Sequence, residues 1–329
     1  MSLQELKVLV MERVYLDEQP FIDQMDSQEK VIALGYFDGV HLGHQKVIQT
    51  AVSIAKEKGL EAAVMTFHPH PSVVLRPDYK REHELTPSLI KAELIEKLGV
   101  HTLFFVKFDL TLSQLSPQNF VDQYLIKLHA KHVVAGYDFT FGRKAAGNMN
   151  NIGEFSRSMF SYTMVPKVEL FGAKVSTTHI RSLIEKGAVE EAAKLLGRPY
   201  ETTGIVVHGD KRGRTLGFPT ANVDENEAFV IPENGVYAVQ LIVDGQPLDG
   251  VCSIGLRPTF YDKNEAKKTV EVYVLDFQGD LYGKKVGIYW HKRLRPELKF
   301  SSAEELVVQM EKDKTETREF FLLERNTNS

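Results

Sequence analysis

The sequence holds one cysteine, Cys252, among 329 residues. A lone thiol excludes an intramolecular disulfide and suits a reducing compartment, so Cys252 reads as a small buried hydrophobe. Long apolar runs are missing too: no stretch approaches the ~20 apolar residues of a membrane span. The first residues, Met1-Ser2-Leu3-Gln4-Glu5-Leu6-Lys7, lack the basic-then-apolar order of a secretory leader. These features predict a cytoplasmic chain with no membrane partner. Excess positive charge is also absent, since 40 Lys and Arg face 44 Asp and Glu for a formal net charge of −4. That balance argues against a nucleic-acid partner, although local basic clusters can still serve small anions. There is no internal repeat and no low-complexity tract.

At roughly 100–200 residues per domain, a chain of this length predicts two. The first half alternates short apolar runs with helical periodicity. Val31-Ile32-Ala33-Leu34 reads as a buried strand. Val47, Ile48, Ala51, Val52 and Ala55 then recur on one helical face that Gly59 ends. Ala62 to Met65, Leu103 to Val106 and Val133 to Ala135 read as further strands. Helices are predicted from Pro87 (Leu89, Ile90, Leu94 and Leu98 on one face, Gly99 at the end) and from Pro117 (Phe120, Val121, Tyr124, Leu125, Leu128). Strands alternating with helices imply a parallel sheet covered on both faces. After about residue 200 the apolar runs become short and β-branched, at Gly204–Val207, Val236–Val239, Leu241–Val243, Val270–Leu275 and Val286–Trp290, with turn residues between them. That texture predicts a closed or nearly closed antiparallel β structure. A last helix is expected near Ser302, which has capping-box spacing to Glu305. The fold class is therefore α/β followed by all-β, with domains at 1–185 and 186–329 and a short helix, Val189–Leu196, near the junction.

Two stretches carry chemistry. The first is Gly35-Tyr36-Phe37-Asp38-Gly39-Val40-His41-Leu42-Gly43-His44, between a strand and a helix. A helix start offers unpaired N–H groups and a positive dipole end, so it holds phosphate. Gly43 permits close backbone approach, and two imidazoles there can donate to phosphate oxygens and stabilise a pyrophosphate leaving group. Zinc is not expected, because neither cysteine nor suitably spaced carboxylates accompany the pair.

The second stretch runs from Gly204 to Asn222 and is dense in glycine and cations. It lacks the Gly-x-x-x-x-Gly-Lys-Ser/Thr order of a Walker loop. Glycines with Lys211, Arg212 and Arg214 suit either a flexible cover over polyphosphate or a solvated basic hairpin. Thr220 and Asn222, two apart in extended chain, point the same way and present oxygens that suit Mg²⁺ carrying nucleotide phosphates. Downstream, Glu271 is out of place in the β segment Thr269–Phe277. It is either an exposed strand residue or a carboxylate placed to act as general base on a substrate hydroxyl.

These strings bring a resemblance into view. His41-Leu42-Gly43-His44 matches the His-x-Gly-His motif of the nucleotidylyltransferase superfamily, and Gly35–Gln45 resembles its form in bacterial bifunctional riboflavin kinase/FAD synthetases. Thr66–Pro71, Gly136–Gly142 and Ser176–Arg181 resemble later segments of the same half. Gly204–Asn222, ending Pro219-Thr220-Ala221-Asn222, resembles the riboflavin kinase motif. Val270–Phe277, Ser253–Phe260, Gly279–Gly283 and Leu294–Glu297 resemble others of that domain.

The resemblance implies a Rossmann-like nucleotidylyltransferase domain, then a riboflavin-kinase-like antiparallel barrel with a terminal helix. It implies ATP-dependent phosphorylation of riboflavin to FMN by the second domain, and adenylylation of FMN to FAD with release of pyrophosphate by the first. In the adenylyltransferase it places ATP against Gly35, Phe37, Asp38, Gly39, His41, Gly43, His44, Ser176, Thr177 and Arg181. The flavin goes near His68, Pro69, Asp138, Phe139 and Phe141. In the kinase it places ATP against Gly209, Lys211, Gly213, Arg214, Gly217, Thr220 and Asn222, Mg²⁺ on Thr220 and Asn222, the base at Glu271, and flavin near Arg295. Two positions depart from the pattern: Tyr36 stands where Asn is expected and His68 where Asp is expected.

Other readings stay open residue by residue. His68 and His70 suit solvated loop positions, Asp138 a turn, Phe139 and Phe141 the core, and Arg295 an ion pair with Glu297 or a neighbour. Trp290 and Phe300 read as core. The competing functions are an adenylyltransferase for another phosphate acceptor, and a flavin-binding or regulatory protein with one site inactive. The expected partners are small molecules, with the chain a monomer or weak homo-oligomer.

Overall fold

Lys30–Leu34 (β2) is buried at all five positions. Such a strand has no polar face and needs cover on both sides. In the computed structural model, Ile32 and Leu34 join one hydrophobic cluster and Val31 and Ala33 another. The structure describes residues 10–16, 27–75, 83–209, 218–225, 229–257 and 267–327. By its contacts the chain divides into two units, Met1–Glu82 with Thr86–Ser176, and His83–Leu85 with Thr177–Ser329.

The first unit is α/β. The elements that build its sheet and main helices are β1 (Glu12–Leu16), β2, α1 (Leu42–Lys58), β3 (Glu61–His68), α2 (Ser88–Glu96), β4 (Thr102–Lys107), α3 (Pro117–Phe120, continuing as a π-helical turn to Ile126), β5 (Ala130–Gly136) and β6 (Ser161–Val165). The strands form one parallel sheet in the order β1-β4-β3-β2-β5-β6. From β2 the chain winds through β3 and β4 to one side, and from β5 to the other. The order therefore reverses between the adjacent strands β2 and β5. In open α/β sheets the crevice at such a switch point, beyond the strands' carboxyl ends, is where ligands bind.

Helix α1 forms as its pattern demands. Val47, Ile48, Ala51 and Ala55 are buried, Lys56 and Lys58 sit in the last turn near the negative dipole end, and Gly59 (φ 66°) closes it. Helix α2 differs from expectation. Leu89 is exposed, and the buried positions are Ile90, Lys91, Ala92 and Ile95.

The second unit opens with α4 (Thr177–Glu185) and α5 (Val189–Leu196), which pack together, and α5 also rests on the barrel. The contact division and the expected division at 185 thus differ by helix α4. Six antiparallel strands follow: β7 (Tyr200–Val207), β8 (Thr220–Glu225), β9 (Gly235–Val243), β10 (Gln246–Arg257), β11 (Lys267–Val274) and β12 (Lys285–Arg295). They close in the order β7-β8-β11-β10-β9-β12, which leaves no sheet edge open to pairing. Tyr237, Cys252, Ile254, Val272, Ile288 and Trp290 are all fully buried. The Trp290 indole N–H donates to Thr202 Oγ1 at 3.1 Å, so its polar atom is satisfied.

The terminal helix α6 (Ala303–Thr327) buries Asp313, Thr317 and Phe321. Ser302 Oγ accepts from the Glu305 N–H at 3.3 Å, as the capping spacing predicts. The Glu305 carboxylate, however, reaches back to Ser301 rather than to Ser302.

Candidate active sites

The loop between β2 and α1 lies at the switch point. Three residues in it have positive φ: Phe37 (55°), Gly39 (89°) and Val40 (41°). Two are not glycine, and such strain persists only where surroundings over-determine it, at about 1–3 kcal/mol per residue. The surroundings are visible. Asp38 is fully buried and accepts from the Thr86 N–H at 3.0 Å, while Thr86 Oγ1 accepts from the Gly39 N–H at 2.8 Å. The Gln45 side-chain amide donates to the Val40 carbonyl at 2.9 Å.

His41 is the N-cap of α1. Its Nδ1 accepts from the His44 N–H at 3.2 Å, an imidazole doing what serine or aspartate usually does. An accepting Nδ1 assigns the neutral ring's proton to Nε2. The two imidazoles stack with centroids 3.6 Å apart, and Phe37 meets His44 edge-on at 5.3 Å. A Cβ on Gly43 would lie 3.1 Å from the His41 ring and 3.9 Å from the Val175 carbonyl, so only glycine leaves the stack undisturbed. Burial holds His41 down to about 4, outweighing the pull of Asp38 and Asp138. Burial, then His41 and Lys91, hold His44 well below the usual histidine range. Both rings are neutral at pH 7, and the buried Nδ1 of His44 has no hydrogen-bond partner among the described residues. The site therefore offers neutral donors and a helix start rather than two cations.

The neighbouring loops complete this crevice. Beyond β5, Asp138 pairs with Lys174 at 2.8 Å, and Lys174 also lies over the Tyr137 ring at 4.9 Å. Phe141 is buried against Phe120 and Phe155, whereas Phe139 is only partly buried. His68, the last residue of β3, is exposed, and beyond it His70 bonds to Ser72 at 2.6 Å and meets Tyr36 edge-on at 4.2 Å. Tyr36 also covers Lys91 Nζ at 4.3 Å, a lysine with no solvent exposure. The Tyr36–Lys91 contact escaped sequence reading, because His70, Tyr36 and Lys91 come from three segments distant in sequence. The only signal was that Tyr36 departs from the family pattern.

In the barrel, strand register builds the second site. Asn222 lies opposite Glu271, and Thr220 opposite Tyr273. Directly opposed residues share a face. Val270, Val272 and Val274 fill the interior, so Glu271 and Tyr273 lie on the outer face with Thr220 and Asn222. Thr220 Oγ1 donates to Glu271 Oε2 at 3.2 Å. The chain leaving β7 passes directly over this cluster, since a Cβ on Gly209 would come within 2.2 Å of the Asn222 amide. Tyr273 meets Phe218 at 5.1 Å, a buried ring that precedes Thr220 and that sequence reading did not single out.

Comparison with known proteins identifies the family of the chain. Residues 23–179 match the FAD synthetase family and residues 196–321 the riboflavin kinase family. Bifunctional riboflavin kinase/FMN adenylyltransferases from Listeria monocytogenes and Bacillus subtilis are 49% and 47% identical, each over 94% of this chain and 98% of their own length. The chain belongs to the bifunctional riboflavin kinase/FMN adenylyltransferase family. It carries both enzyme domains, and its substrates are riboflavin, FMN and ATP. A solved structure from Streptococcus pneumoniae, described as a macrolide-efflux protein, is 34% identical with a TM-score of 0.86, covering 94% of this chain and 99% of its own. Among the described residues of this family member no helix is long and apolar enough to cross a membrane.

The remaining expected residues of the bifunctional family fall into three groups. Ser176 ends the first unit, while Thr177 and Arg181 lie on α4 in the second, where Arg181 donates to the His83 carbonyl at 2.9 Å. Lys211, Gly213, Arg214 and Gly217 lie outside the described residues. Arg295 is committed to Asp313, not to Glu297: Nε lies 2.9 Å from Oδ1 and Nη2 2.8 Å from Oδ2. Among the described residues no group of three or more His, Cys, Asp or Glu could hold a metal ion.

Proposed function

We propose that the barrel's Thr220–Asn222–Glu271 cluster carries riboflavin phosphorylation and the His41–His44 helix start carries FMN adenylylation. On this reading the adenylyltransferase domain runs to about residue 185 and the kinase domain follows it. The observation that carries the first assignment is the register that sets Glu271 beside Thr220 and Asn222 on one outer face. Glu271 takes the proton of the ribityl 5′-hydroxyl as that oxygen attacks the γ-phosphorus of ATP, and ADP leaves. Oxygens from Thr220 and Asn222 are hard donors that fit Mg²⁺ shared with nucleotide phosphates, which explains why no all-protein metal cage is needed. Bound there, Mg²⁺ would supply neutralisation of phosphate charge. Gly209, Lys211, Gly213, Arg214 and Gly217 are assigned to ATP-phosphate binding on the family resemblance.

In the adenylyltransferase the FMN phosphate is itself the nucleophile. It attacks the α-phosphorus of ATP, and pyrophosphate leaves. The α1 N-terminus and the N–H groups of His41 and His44 hold the leaving oxygens in place, with Ser176, Thr177 and Arg181 on the β and γ phosphates. Asp38 contributes by fixing the loop that carries Gly35, Phe37 and Gly39. His68, Pro69, Asp138 and Phe139 shape the flavin site, and Phe141 supports it from the core. A cytoplasmic location fits the single reduced thiol.

Purified protein incubated with riboflavin, ATP and Mg²⁺, with the flavins then separated, should yield FMN and then FAD. Recovery of riboflavin alone would sink the kinase assignment, and failure to turn added FMN and ATP into FAD would sink the other.

A further inference from the structure

Helix α6 lies across the outer surface of the barrel, packed on β9 and β10. Three of its contacts converge on the frame of the Thr220–Glu271 cluster. Asp313, only 3% exposed, accepts from both Nε and Nη2 of Arg295, the last residue of β12. Asp313 Oδ1 also accepts from the Gln309 side chain at 2.8 Å. One residue on, Lys314 Nζ lies over the Phe218 ring at 5.7 Å. Phe218 in turn packs edge-on against Tyr273, the register partner of Thr220. Arg318 pairs with Asp276, just beyond the end of β11, the strand that carries Glu271. One helix thus grips the ends of the two strands bearing the cluster, and its most buried polar anchor is the Arg295–Asp313 pair.

We infer that Arg295 and Asp313 are positioning residues for the kinase reaction, fixing α6 so that Lys314 and Phe218 brace the strand that presents Thr220 beside Glu271. Arg295 contributes here without touching flavin. The inference rests on the assignment of riboflavin phosphorylation to this cluster. A planar guanidinium held in fork geometry suits such a role, because it fixes orientation as well as distance. Arg295 also reaches the loop from Pro296 to Phe300: Nη1 donates to the Pro296 carbonyl at 3.2 Å, and the guanidinium lies 5.9 Å from the Phe300 ring centroid.

The test exploits a property of buried ion pairs. Removing one partner strands a charge, whereas replacing both by apolar residues of similar volume preserves the packing. FMN formation is measured in the full chain for Arg295→Met and for Arg295→Met with Asp313→Leu, with FMN-to-FAD conversion in the same preparations as the control for intact protein. Arg295→Met should lower kcat for FMN formation by about tenfold or more, with the riboflavin KM nearly unchanged, as displacement of reacting groups does. Adding Asp313→Leu should return kcat to within about threefold of the parent if docking alone is needed. A double variant as slow as the single one would overturn the inference. So would a raised riboflavin KM at unchanged kcat, the signature of a lost flavin contact. Phe218→Leu, which leaves both members of the ion pair in place, should also lower kcat, and an unchanged kcat there would break the proposed brace. If the parent protein itself forms no FMN, the kinase assignment fails first and the inference falls with it.

Discussion

The two units face the same ligand, a nucleoside triphosphate, with opposite equipment. On the proposed assignment the α/β unit uses a strained loop and a helix start with two neutral imidazoles, His41 buried and His44 half-buried. The barrel uses side chains on the outer face of paired strands, among them a half-buried carboxylate. The protonation state of each nucleophile accounts for the difference. A phosphate monoester is already an anion, so its site needs donors and no base. A ribityl hydroxyl must lose a proton, so its site needs an acceptor within reach. Replacing Glu271 by Ala should therefore cut FMN formation by ~10²–10⁴-fold, the usual range for a general base, while FMN-to-FAD conversion changes little. His44→Ala should do the reverse. Separate assays of the two conversions on each variant check this, and equal losses in both would erase the contrast.

The units should also part on acidification. In the α/β unit burial lowers His41 to about 4 and also depresses His44 and His132. In the barrel only His291 is so placed among the described residues, also at about 4. A histidine whose folded pKa lies below its unfolded value of 6.5 stays neutral in the native state while the unfolded chain takes up protons. Stability is then full above about pH 6.5 and falls as pH drops toward 4. Each pKa unit is worth about 1.4 kcal/mol, so His41 alone removes up to about 3 kcal/mol by pH 4. The α/β unit should unfold before the barrel as pH is lowered, which amide exchange resolved by residue would show. His291→Phe should move only the barrel's transition.

Much of this was legible in the sequence and some was not, for physical reasons. The buried strand Lys30–Leu34 and helix Leu42–Lys58 follow from runs and periodicity that local burial enforces. The edge strands Glu12–Leu16 and Ser161–Val165 escaped, because Tyr15, Tyr162 and Met164 are exposed and the apolar signal is diluted. The candidate residues Thr220, Asn222 and Glu271 were named one by one. The 51 residues separating Thr220 from Glu271 close only through strand register, which no local pattern states. Arg295 was expected near the flavin or, alternatively, in an ion pair with Glu297 or a neighbour; its carboxylate partner, Asp313, lies 18 residues away on the terminal helix.

Two glycines sharpen the comparison at a smaller scale. A methyl on Gly209 would stand 2.2 Å from the Asn222 amide, and one on Gly43 would stand 3.1 Å from the His41 ring. In the first case a short side-chain amide must swing away, which costs little stability but removes a proposed metal ligand from its place. In the second a few tenths of an ångström suffice. Gly209→Ala should slow FMN formation by about tenfold or more, and Gly43→Ala should slow FAD formation only a few-fold, given how steeply rate depends on alignment. Thermal unfolding of both variants should stay close to the parent. A larger loss for Gly43→Ala would mean that the stacked imidazoles tolerate less displacement than the strand-face cluster.

The smallest expected effect reads the charge of the first site directly. His41 is neutral in the free protein at pH 6 because burial outweighs Asp38 and Asp138. A triphosphate beside it favours the imidazolium and raises its pKa. ATP binding should then take up a fraction of a proton at pH 6 and almost none at pH 8, where even a raised histidine stays neutral. Calorimetric titration in two buffers of different ionisation enthalpy measures that fraction. His41→Gln should abolish it, whereas Glu271→Ala, in the other site, should leave it unchanged. If no proton is taken up at pH 6, the imidazoles serve ATP as neutral donors throughout, and the contrast between the two sites becomes one of geometry rather than charge.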